Sequence, residues 1–520
     1  MKARELVCAL TFALSGHAYP QNPGDNLFFS SQVHDINIIL TQANWWDSLQ
    51  YYKDLSDQTG QNYYMVSDVI INGTPLSSSG VRLRGNSSYG HPGRKKPIKI
   101  DFNQYVQGQE YDGLKSILLN NSSYDPTMLR EKLMLDVLNA RGLPAPRCTY
   151  ARVSYNGQYV GLYKVLEVVD KTFLKTHFNN KERNLYKGEP NATLEWEGSN
   201  QAAYYDNLEL NTNETANDWS DLVNLVDKIN NSGSDFRSQV EQVFNLQDYI
   251  RSWAANNVFA NIDAYYSIPH NYYLYNDSIA DVFQWINWDV GLVFGVLPSS
   301  LFQSSDQLDI FYLPDPPSSR PLNNNILNVP ELKTAYLNAV CDFLTNDLDP
   351  NRLFPRIDSL AAVIRPHVYA EPDSNQMYTE AQFEGNLNST KVPSFLFYNI
   401  PGLKSFIVLR KENVVNQLCQ MGWSCALGAS YSGIGSGIIN VYPSPANEEL
   451  TVYFNVPEYN TLISYRIVDM MGNKVIEEYA PLENGNYVKK LNTAGLRQGI
   501  YMLIVDAACR DVERKILIIR

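Results

Sequence analysis

The stretch from Ala260 to Gly295 constrains the fold most, because it places strand-like segments directly after a helix-like one. An apolar, aromatic run that ends at Asp263 is typical of a helix leading into a loop. A second apolar run, Val282 to Trp288, is typical of a buried strand and is followed by Asp289 and a glycine turn. His270 to Tyr275, between the two runs, predicts a further strand. The stretch therefore predicts an α+β domain.

Asp263 and Asp289 are the first candidates for chemistry. Two carboxylates at the ends of a helix and a strand, with the amide of Asn271 nearby, could hold a divalent cation. The alternative is that both acids only cap turns, which is a common role for an aspartate that follows a strand. The rest of the chain bears on this choice.

Length and charge limit the classes of protein to consider. A chain of 520 residues predicts more than one domain. Its formal net charge of −13 argues against a nucleic acid as the main partner, because nucleic acids are polyanions.

The first 18 residues have the pattern of a signal peptide. Lys2 and Arg4 precede a short apolar run from Leu6 to Leu14, and small residues lead to a cleavage site after Ala18. That run is too short to span a bilayer, and no later stretch reaches about 18 uninterrupted apolar residues. We therefore predict an exported protein without a transmembrane segment.

The cysteines suit an oxidising compartment. Cys419 and Cys425 are near enough in sequence to close a small loop, and a disulfide between them is predicted. Cys148, Cys341 and Cys509 are scattered, so we expect them to be buried or free.

The segment from Gly80 to Ser88 (GVRLRGNSS) predicts a strand that ends in a small polar loop. Such a loop, which carries Arg84 and Ser87, could present hydroxyls and backbone N–H groups to a phosphate. Most loops of this composition are ordinary turns, and that alternative stays open.

The next strand, in Lys95 to Phe102, places a lysine on an apolar face. Period-two alternation puts Lys96 in register with Ile98, Ile100 and Phe102, whereas Lys95 is expected on the solvated face. A buried ammonium is costly unless it meets an anion, although Lys96 lies at the strand end and could instead reach solvent.

Two further acids follow along the chain. Asp125 to Leu133 (DPTMLREKL) predicts a helix with Asp125 as its N-cap and Glu131 in its early turns. A hairpin is predicted across Asn156–Gly157, and Glu167 lies among apolar residues on its second strand. A carboxylate there needs a partner if buried, although exposure is the more common case.

Seven short motifs occur in order along this part of the chain: GVRLRGNSS, KKPIKIDF, DPTMLREKL, NGQYVGLYKVLEVVD, NLYKG, DAYYxxxHNYYLY and WDVGLVFG. Together they resemble the spore-coat protein H (CotH) kinase family, over a predicted domain of residues 26–425. The resemblance implies an atypical protein-kinase-like, two-lobed fold, with a small mostly β lobe, a larger helical lobe and a nucleotide between them. It also implies transfer of the γ-phosphoryl group of ATP to Ser or Thr of protein substrates, here in the envelope or on the cell surface.

The resemblance also implies roles for residues at matching positions. Lys96 would bind the ATP phosphates, and Glu131 would pair with that lysine. Asp263 would orient or deprotonate the attacking hydroxyl. Asp289 would bind Mg²⁺ or Mn²⁺, with Asn271 as a further metal ligand.

Three more residues are assigned to nucleotide binding by position, namely Arg84, Ser87 and Glu167. The chain departs from the family pattern at Gly291, where an aspartate or asparagine usually follows the Trp-Asp pair by two positions. One candidate metal ligand is therefore missing. A kinase-like surface or scaffold protein without catalytic turnover is the alternative function.

The composition changes at residues 426–437, which predict a Gly/Ser-rich linker. Residues 438–520 alternate short strand patterns with turn signals, which predicts a small β-sandwich. The segments VYPSPANEELTV, IVDMMGNKV, LRQGIYML and KILIIR resemble the C-terminal sorting domain of type IX secretion. That resemblance implies the type IX machinery as a partner, and a secreted or surface location reached through the periplasm.

Overall fold

The computed structural model describes residues 22–298, 304–394, 398–421, 423–425, 429–430, 440–455, 462–481, 486–506 and 511–520. The predicted signal peptide and most of the predicted linker lie outside these residues. The chain divides into two compact units. The first comprises Met1–Asn121, Arg147–Lys181 and Ala370–Gln376, and the second comprises Ser122–Pro146, Glu182–Tyr369 and Met377–Arg520.

Strands are the main elements between residues 22 and 181. In chain order the elements are α1 (Asp25–Phe28), β1 (His34–Ile39), α2 (Trp45–Thr59), β2 (Met65–Ile71), β3 (Thr74–Leu83), β4 (Ile98–Asp101), β5 (Ser116–Asn120), α3 (Arg130–Ala140), β6 (Cys148–Tyr155), β7 (Gln158–Glu167) and α4 (Lys171–Phe178). Of these, α3 belongs to the second unit.

The strands of the first unit form a closed barrel in the order β1-β2-β3-β4-β5-β7-β6. Parallel pairing of β1 with β6 closes it, so this sheet has no unpaired edge. Asn156–Gly157 joins two hairpin strands as predicted, with φ of 49° and 78°, and Asn72–Gly73 joins β2 to β3 with φ of 49° and 85°. Positive φ at both residues is what a two-residue hairpin turn of type I′ requires.

The barrel interior confirms the alternation along β4. Ile98, Ile100 and Phe102 are each 0% exposed and belong to one apolar cluster with side chains from the other strands. The expectation that Lys95 faces solvent is wrong, because Lys95 is also 0% exposed. It precedes the start of β4 at Ile98, so the alternation of the strand does not govern its direction.

The segment Ala370–Gln376 completes the first unit from far along the chain. Glu371 accepts a hydrogen bond from Lys95 Nζ at 2.6 Å and another from the N–H of Leu162 at 2.7 Å. Asn375 exchanges hydrogen bonds with two backbone groups of the same unit. The buried lysine is thus neutralised by an acid that lies 276 positions away.

The second unit continues with a mixture of helices and short strands. Its elements are β8 (Leu185–Gly188), β9 (Leu208–Leu210), α5 (Ser220–Asn231), α6 (Phe236–Val240), α7 (Leu246–Val258), β10 (Tyr272–Asp277), β11 (Val282–Asn287), α8 (Pro321–Asn328), α9 (Pro330–Asn346), α10 (Pro350–Tyr369), α11 (Glu380–Asn388), β12 (Val392–Pro393), β13 (Asn399–Ile400), α12 (Leu403–Gln420), β14 (Trp423–Ser424) and β15 (Ala429–Ser430). Strands β11, β10, β8 and β9 form one antiparallel sheet in that order.

The helix predicted from Asp125 begins later than expected. Met128 has a left-handed backbone with φ of 57°, which interrupts a helical path, and α3 starts at Arg130. Asp125 still serves the helix start, because its carboxylate accepts hydrogen bonds from the N–H groups of Thr127 at 3.0 Å and Arg130 at 2.8 Å.

A disulfide in the second unit joins Cys341 to Cys425, 84 positions apart. The sequence analysis had paired Cys425 with Cys419, its nearest cysteine neighbour in sequence. Cys341 lies on α9, which is brought to Cys425 by tertiary packing that sequence spacing does not encode. Cys148 is buried, as expected, and Cys509 lies outside the described residues.

The described residues of the C-terminal part form short strands, as the sequence predicts. They are β16 (Asn440–Tyr442), β17 (Glu449–Asn455), β18 (Leu462–Val468), β19 (Lys474–Pro481), β20 (Asn486–Asn492), β21 (Gly499–Asp506) and β22 (Asp511–Ile518). They form one sheet in the order β16-β17-β20 and another in the order β19-β18-β21-β22. Residues of both sheets share one buried cluster, which includes Leu450, Leu491, Ile467 and Leu503.

Candidate functional site

The loop that carries Asp263 begins where α7 ends at Val258. The guanidinium of Arg410 is 0% exposed and donates to the carbonyl oxygens of Asn257 at 3.0 Å and Val258 at 3.3 Å. A cation at the last carbonyl groups of a helix satisfies acceptors that have no partner within the helix and opposes the helix dipole. Arg410 therefore fixes the point at which the chain leaves α7 for the loop.

Asp263 is held by the two residues that precede β10. His270 Nε2 lies 2.7 Å from Asp263 Oδ1. The amide nitrogen of Asn271 donates to Asp263 Oδ2 at 3.0 Å and to the Asp263 carbonyl oxygen at 2.8 Å. Both carboxylate oxygens are oriented by a neighbour, while the side chain keeps an exposed fraction of 17%. The carboxylate is therefore positioned and also accessible.

Asp289 follows β11 in an unusual backbone conformation. Its φ is 48°, and it is exposed. Left-handed backbone is uncommon for residues other than glycine, and aspartate and asparagine adopt it more readily than most. Ala260 and Asn271 have φ of 52° and 61° in the same part of the unit. Such conformations concentrate at binding and catalytic sites.

One asparagine links the segments that carry the two aspartates. Asn256, on α7, donates to Asn287 Oδ1 at 3.0 Å and accepts from Asn261 Nδ2 at 2.8 Å. All three amide side chains are buried. Asn261 precedes Asp263 by two positions, and Asn287 precedes Asp289 by two. The buried side chain of Asn256 thus hydrogen-bonds to both segments.

Both aspartates influence the pKa of His270. Burial lowers the pKa of His270, but its hydrogen bond to Asp263 and the negative charges of Asp263, Asp289 and Glu189 outweigh burial, so the pKa is raised. Both aspartates therefore lie near one imidazole. The sequence analysis gave His270 no role in the site, although its position directly before Asn271 was a signal for one.

Glu131 lies beside the turn that follows Asp289. It is in the first turn of α3 and is 2% exposed. A Cβ atom built on Gly291 would lie 3.7 Å from Glu131 Cδ and 3.9 Å from Asp289 Oδ1. The carboxylates of Glu131 and Asp289 therefore border the same small space next to Gly291. The sequence carries no signal of this contact.

These residues can supply only some of the ligands that a divalent cation needs. Among the residues that the structure describes, no group of three or more His, Cys, Asp or Glu side chains could hold a metal ion. Mg²⁺ is commonly bound by one or two carboxylates together with water and substrate phosphates. Asp289 and Glu131 are the carboxylates that could serve in this way, and Asn271 turns its amide nitrogen to Asp263, so its oxygen points away from that donor contact.

Lys96, in the first unit, is buried as predicted, with 8% exposure, although it too precedes the start of β4 at Ile98. Its ammonium donates to the carbonyl oxygens of Tyr89 at 2.8 Å and of His91. Burial lowers the pKa of Lys96. The two carbonyl groups belong to the loop that also carries Ser87, so the structure brings Lys96 and this loop together.

The loop around Ser87 depends on the glycine before it. Gly85 has φ of 86°, and a Cβ atom there would lie 2.5 Å from Ser88 Oγ. Ser87 is exposed on a short 3-10 turn, and the Arg84 side chain is half-buried. The N–H of Arg84 donates to the carbonyl oxygen of Pro97 at 2.9 Å. That hydrogen bond aligns the start of the loop with the segment that carries Lys96.

Glu167 is engaged in a buried ion pair within the first unit. Arg147 donates from Nε to Glu167 Oε2 at 3.0 Å and from Nη2 to Oε1 at 2.5 Å. Burial raises the pKa of Glu167, but hydrogen bonds to His177 and Arg147 outweigh it and hold the pKa below its ordinary value. These are the contacts of a structural ion pair, and a nucleotide contact for Glu167 stays a prediction.

The family model of the CotH kinase protein matches residues 81–391, more than half of the 520 residues. The chain belongs to the CotH family. The predicted resemblance is therefore confirmed, and its matched region includes Lys96, Glu131, Asp263 and Asp289.

CotH relatives occur in bacteria and fungi. Inner spore coat protein H of Bacillus subtilis is 26% identical over 284 residues, which cover 54% of this chain and 75% of that protein. Invasin CotH3 of Rhizopus delemar is 25% identical over 287 residues, which cover 51% of this chain and 46% of the invasin. Invasin CotH2 of the same fungus is 30% identical over 125 residues, 23% of this chain and 20% of that protein. This CotH chain thus spans less than half the length of either invasin.

A second family model, the secretion system C-terminal sorting domain, matches residues 440–519. This confirms the predicted type IX sorting domain and indicates a protein that is exported to the cell surface or secreted. In the part of the chain that the structure describes, no helix has the length and apolar character needed to cross a membrane.

Proposed function

We propose that this CotH protein is an exported atypical protein kinase. It transfers the γ-phosphoryl group of ATP to Ser or Thr hydroxyls of exported or surface proteins. The observation that supports the proposal best is the pair of aspartates near His270. Asp263 is oriented through both carboxylate oxygens, and Asp289 is exposed on a left-handed turn. Phosphoryl transfer needs a positioned acid for the hydroxyl and a second acid for the metal.

The roles divide accordingly. Asp263 accepts the proton of the substrate hydroxyl while the hydroxyl oxygen bonds to the γ-phosphorus and the bond from that phosphorus to ADP breaks. Asn271 and His270 hold Asp263 in place. Asp289 holds Mg²⁺ or Mn²⁺, with the oxygen of Asn271 as a further ligand. The bound cation neutralises charge on the phosphates.

The remaining assignments concern the nucleotide. Lys96, with its ammonium at the loop 87–91, binds the ATP phosphates together with Arg84 and Ser87. Glu131 and Glu167 complete the set of residues that the family resemblance assigns to nucleotide binding. Burial of Lys96 supports this role, because a desolvated ammonium interacts more strongly with an anion than one in water.

A second function is favoured by Gly291. The family usually has an aspartate or asparagine at this position, and its replacement removes one candidate metal ligand. In this alternative the protein keeps the kinase-like fold as a surface or scaffold binding protein and has lost turnover.

Phosphate incorporation distinguishes the two functions. The purified full-length chain is incubated with radiolabelled ATP, Mg²⁺ or Mn²⁺, and envelope proteins from the source cells. We expect incorporation by the wild type and its loss in Asp263→Asn and Asp289→Asn. Asp281→Asn is the matched control, because Asp281 is also exposed and left-handed, with φ of 56°.

A nucleotide-dependent thermal shift completes the test. A shift without incorporation would support the scaffold alternative. Neither incorporation nor a shift in the wild type would contradict nucleotide binding and therefore the kinase function. Equal loss in the Asp281→Asn control would trace the effect to folding instead of chemistry.

A further inference from the structure

The turn after Asp289 lacks the acid or amide that the family usually places there, and the structure shows what stands in that space. Gly291 contributes no side chain. A Cβ atom at this position would lie 3.8 Å from Glu131 Oε2 and 3.9 Å from Asp289 Oδ1. The carboxylate of an aspartate at position 291 would begin one bond further out. It would therefore occupy the region that Glu131 reaches from α3.

The direction of Glu131 is fixed by its neighbour. Arg130 is 0% exposed and donates to Asp125 Oδ1 at 2.6 Å, to Asn386 Oδ1 at 3.0 Å and to the Pro401 carbonyl oxygen at 2.7 Å. These contacts anchor the first turn of α3. Glu131 is consequently presented from a rigid element, which suits a ligand better than a mobile loop does.

Asp289 approaches the same space from the other side. Its side chain is exposed, whereas Glu131 is 2% exposed. Two carboxylates that face one space repel each other, and a divalent cation shared by both replaces this repulsion with attraction. Mg²⁺ commonly takes one or two carboxylates from a protein, and phosphates and water complete its coordination. Glu131 and Asp289 would supply two.

We infer that Glu131 supplies the second carboxylate of the metal site, in place of the side chain that is absent at Gly291. The inference rests on the proposed function and changes one part of it. Glu131 acts with Asp289 on the cation, instead of pairing with Lys96 as the family resemblance implies. Glu131 then compensates for the side chain that is absent at Gly291, and the metal site is kept.

Mn²⁺ binding tests this directly without an activity measurement. The full-length protein is titrated with Mn²⁺ in the presence of a non-hydrolysable ATP analogue, and free Mn²⁺ is followed by electron paramagnetic resonance. We expect Glu131→Gln and Asp289→Asn each to raise the Kd for Mn²⁺ about tenfold or more. Glu380→Gln is the matched control, because Glu380 is also a first-turn helix acid but is exposed. Its Kd should equal that of the wild type.

Substitutions at position 291 provide an independent arm. Gly291 has no contact to its built Cβ closer than 3.7 Å, and its φ lies outside the left-handed region, so a side chain fits. We expect Gly291→Asp to tighten Mn²⁺ binding about tenfold and to restore binding in a Glu131→Gln background. Gly291→Ala adds the same Cβ without a charge. It should change the Mn²⁺ affinity neither of the wild type nor of the Glu131→Gln variant.

The outcomes separate this inference from the proposed function. Mn²⁺ binding that survives Glu131→Gln but not Asp289→Asn would overturn the role of Glu131 and leave the kinase proposal standing. Unchanged affinity in Gly291→Asp would also overturn it, even if Glu131→Gln failed to fold. Absence of Mn²⁺ and nucleotide binding in the wild type would overturn both.

Discussion

Two groups of charged side chains in this CotH protein, one in each unit, differ sharply in exposure and in partners. In the first unit, Lys95 and Glu371 are both 0% exposed and form an ion pair at 2.6 Å. In the second unit, Asp263 is partly exposed and bonded to His270 and Asn271. Asp289 is exposed on a left-handed turn.

The difference shows which charges serve structure and which are available for chemistry. The two charges of a buried ion pair neutralise each other. Removing one partner leaves an uncompensated charge in apolar surroundings. Acids that are held by amides and an imidazole, with part of their surface open, keep their charge for a ligand. Substitutions in the two groups of residues should therefore affect different properties.

The largest effect is expected for Asp289→Asn. Asparagine tolerates the left-handed backbone at φ of 48°, so the fold is kept while the charge for the cation is lost. Phosphate incorporation should fall by about two orders of magnitude or more. The melting temperature should stay within about 2 °C of the wild type. Incorporation similar to the wild type would place the metal elsewhere and remove the distinction between the buried ion pair and the accessible aspartates.

The next effect is structural and lies in the first unit. Glu371→Ala leaves Lys95 buried without its partner, which should cost about 3–5 kcal/mol of unfolding free energy. The unfolding transition of this unit in urea, followed by fluorescence, measures the change.

Asp35→Asn provides the comparison in the same unit. It removes the exposed ion pair with Arg152, whose side chains are 69% and 39% exposed, and should cost about 0.5 kcal/mol or less. Equal effects of Glu371→Ala and Asp35→Asn would contradict the structural role of the buried pair.

A smaller effect on activity is expected for Asn256→Ala, which removes the link between Asn261 and Asn287. Both aspartate segments lose their common support, and kcat should fall about tenfold with less change in KM for ATP. Asn323→Ala is the control, since Asn323 is also 0% exposed in this unit and bonds to Tyr249. Similar losses of kcat in the two variants would indicate general destabilisation.

The smallest effect concerns pH and tests the Arg147–Glu167 pair. The pKa of Glu167 is lowered in the folded protein, so its charge stabilises the fold above the ordinary carboxyl pKa. That contribution is lost as pH falls through the folded pKa. The difference in unfolding free energy between the wild type and Glu167→Gln should therefore be largest near pH 7 and shrink in acid. A difference that is constant from pH 7 to pH 3 would show that charge is not its source.

The strands that were predicted from the sequence either alternate or end at a clear turn. Ile98, Ile100 and Phe102 face inward as their spacing predicts, and Asn156–Gly157 joins its hairpin. Lys95 was misplaced because alternation holds only within a strand, and β4 starts at Ile98.

The candidate site was predictable in part for a related reason. Asp263 and Asp289 each end an apolar run, and this pattern is local to the sequence. The contacts of Glu131 with the space beside Gly291 join residues 160 positions apart (291 − 131), and no local pattern encodes them. The pairing of Cys341 with Cys425 was beyond prediction on the same ground.

The place of Ala370–Gln376 in the first unit has a consequence for biosynthesis. The barrel strands are complete by Glu167, yet the partner of Lys95 is synthesised about two hundred residues later, at Glu371. An emerging chain therefore carries the barrel without the acid that neutralises its buried lysine. The first unit cannot reach its final state before Glu371 has been made. A self-contained domain could do so as soon as its own residues were available. For an exported protein, this delay keeps the first unit incomplete until most of the polypeptide has been made.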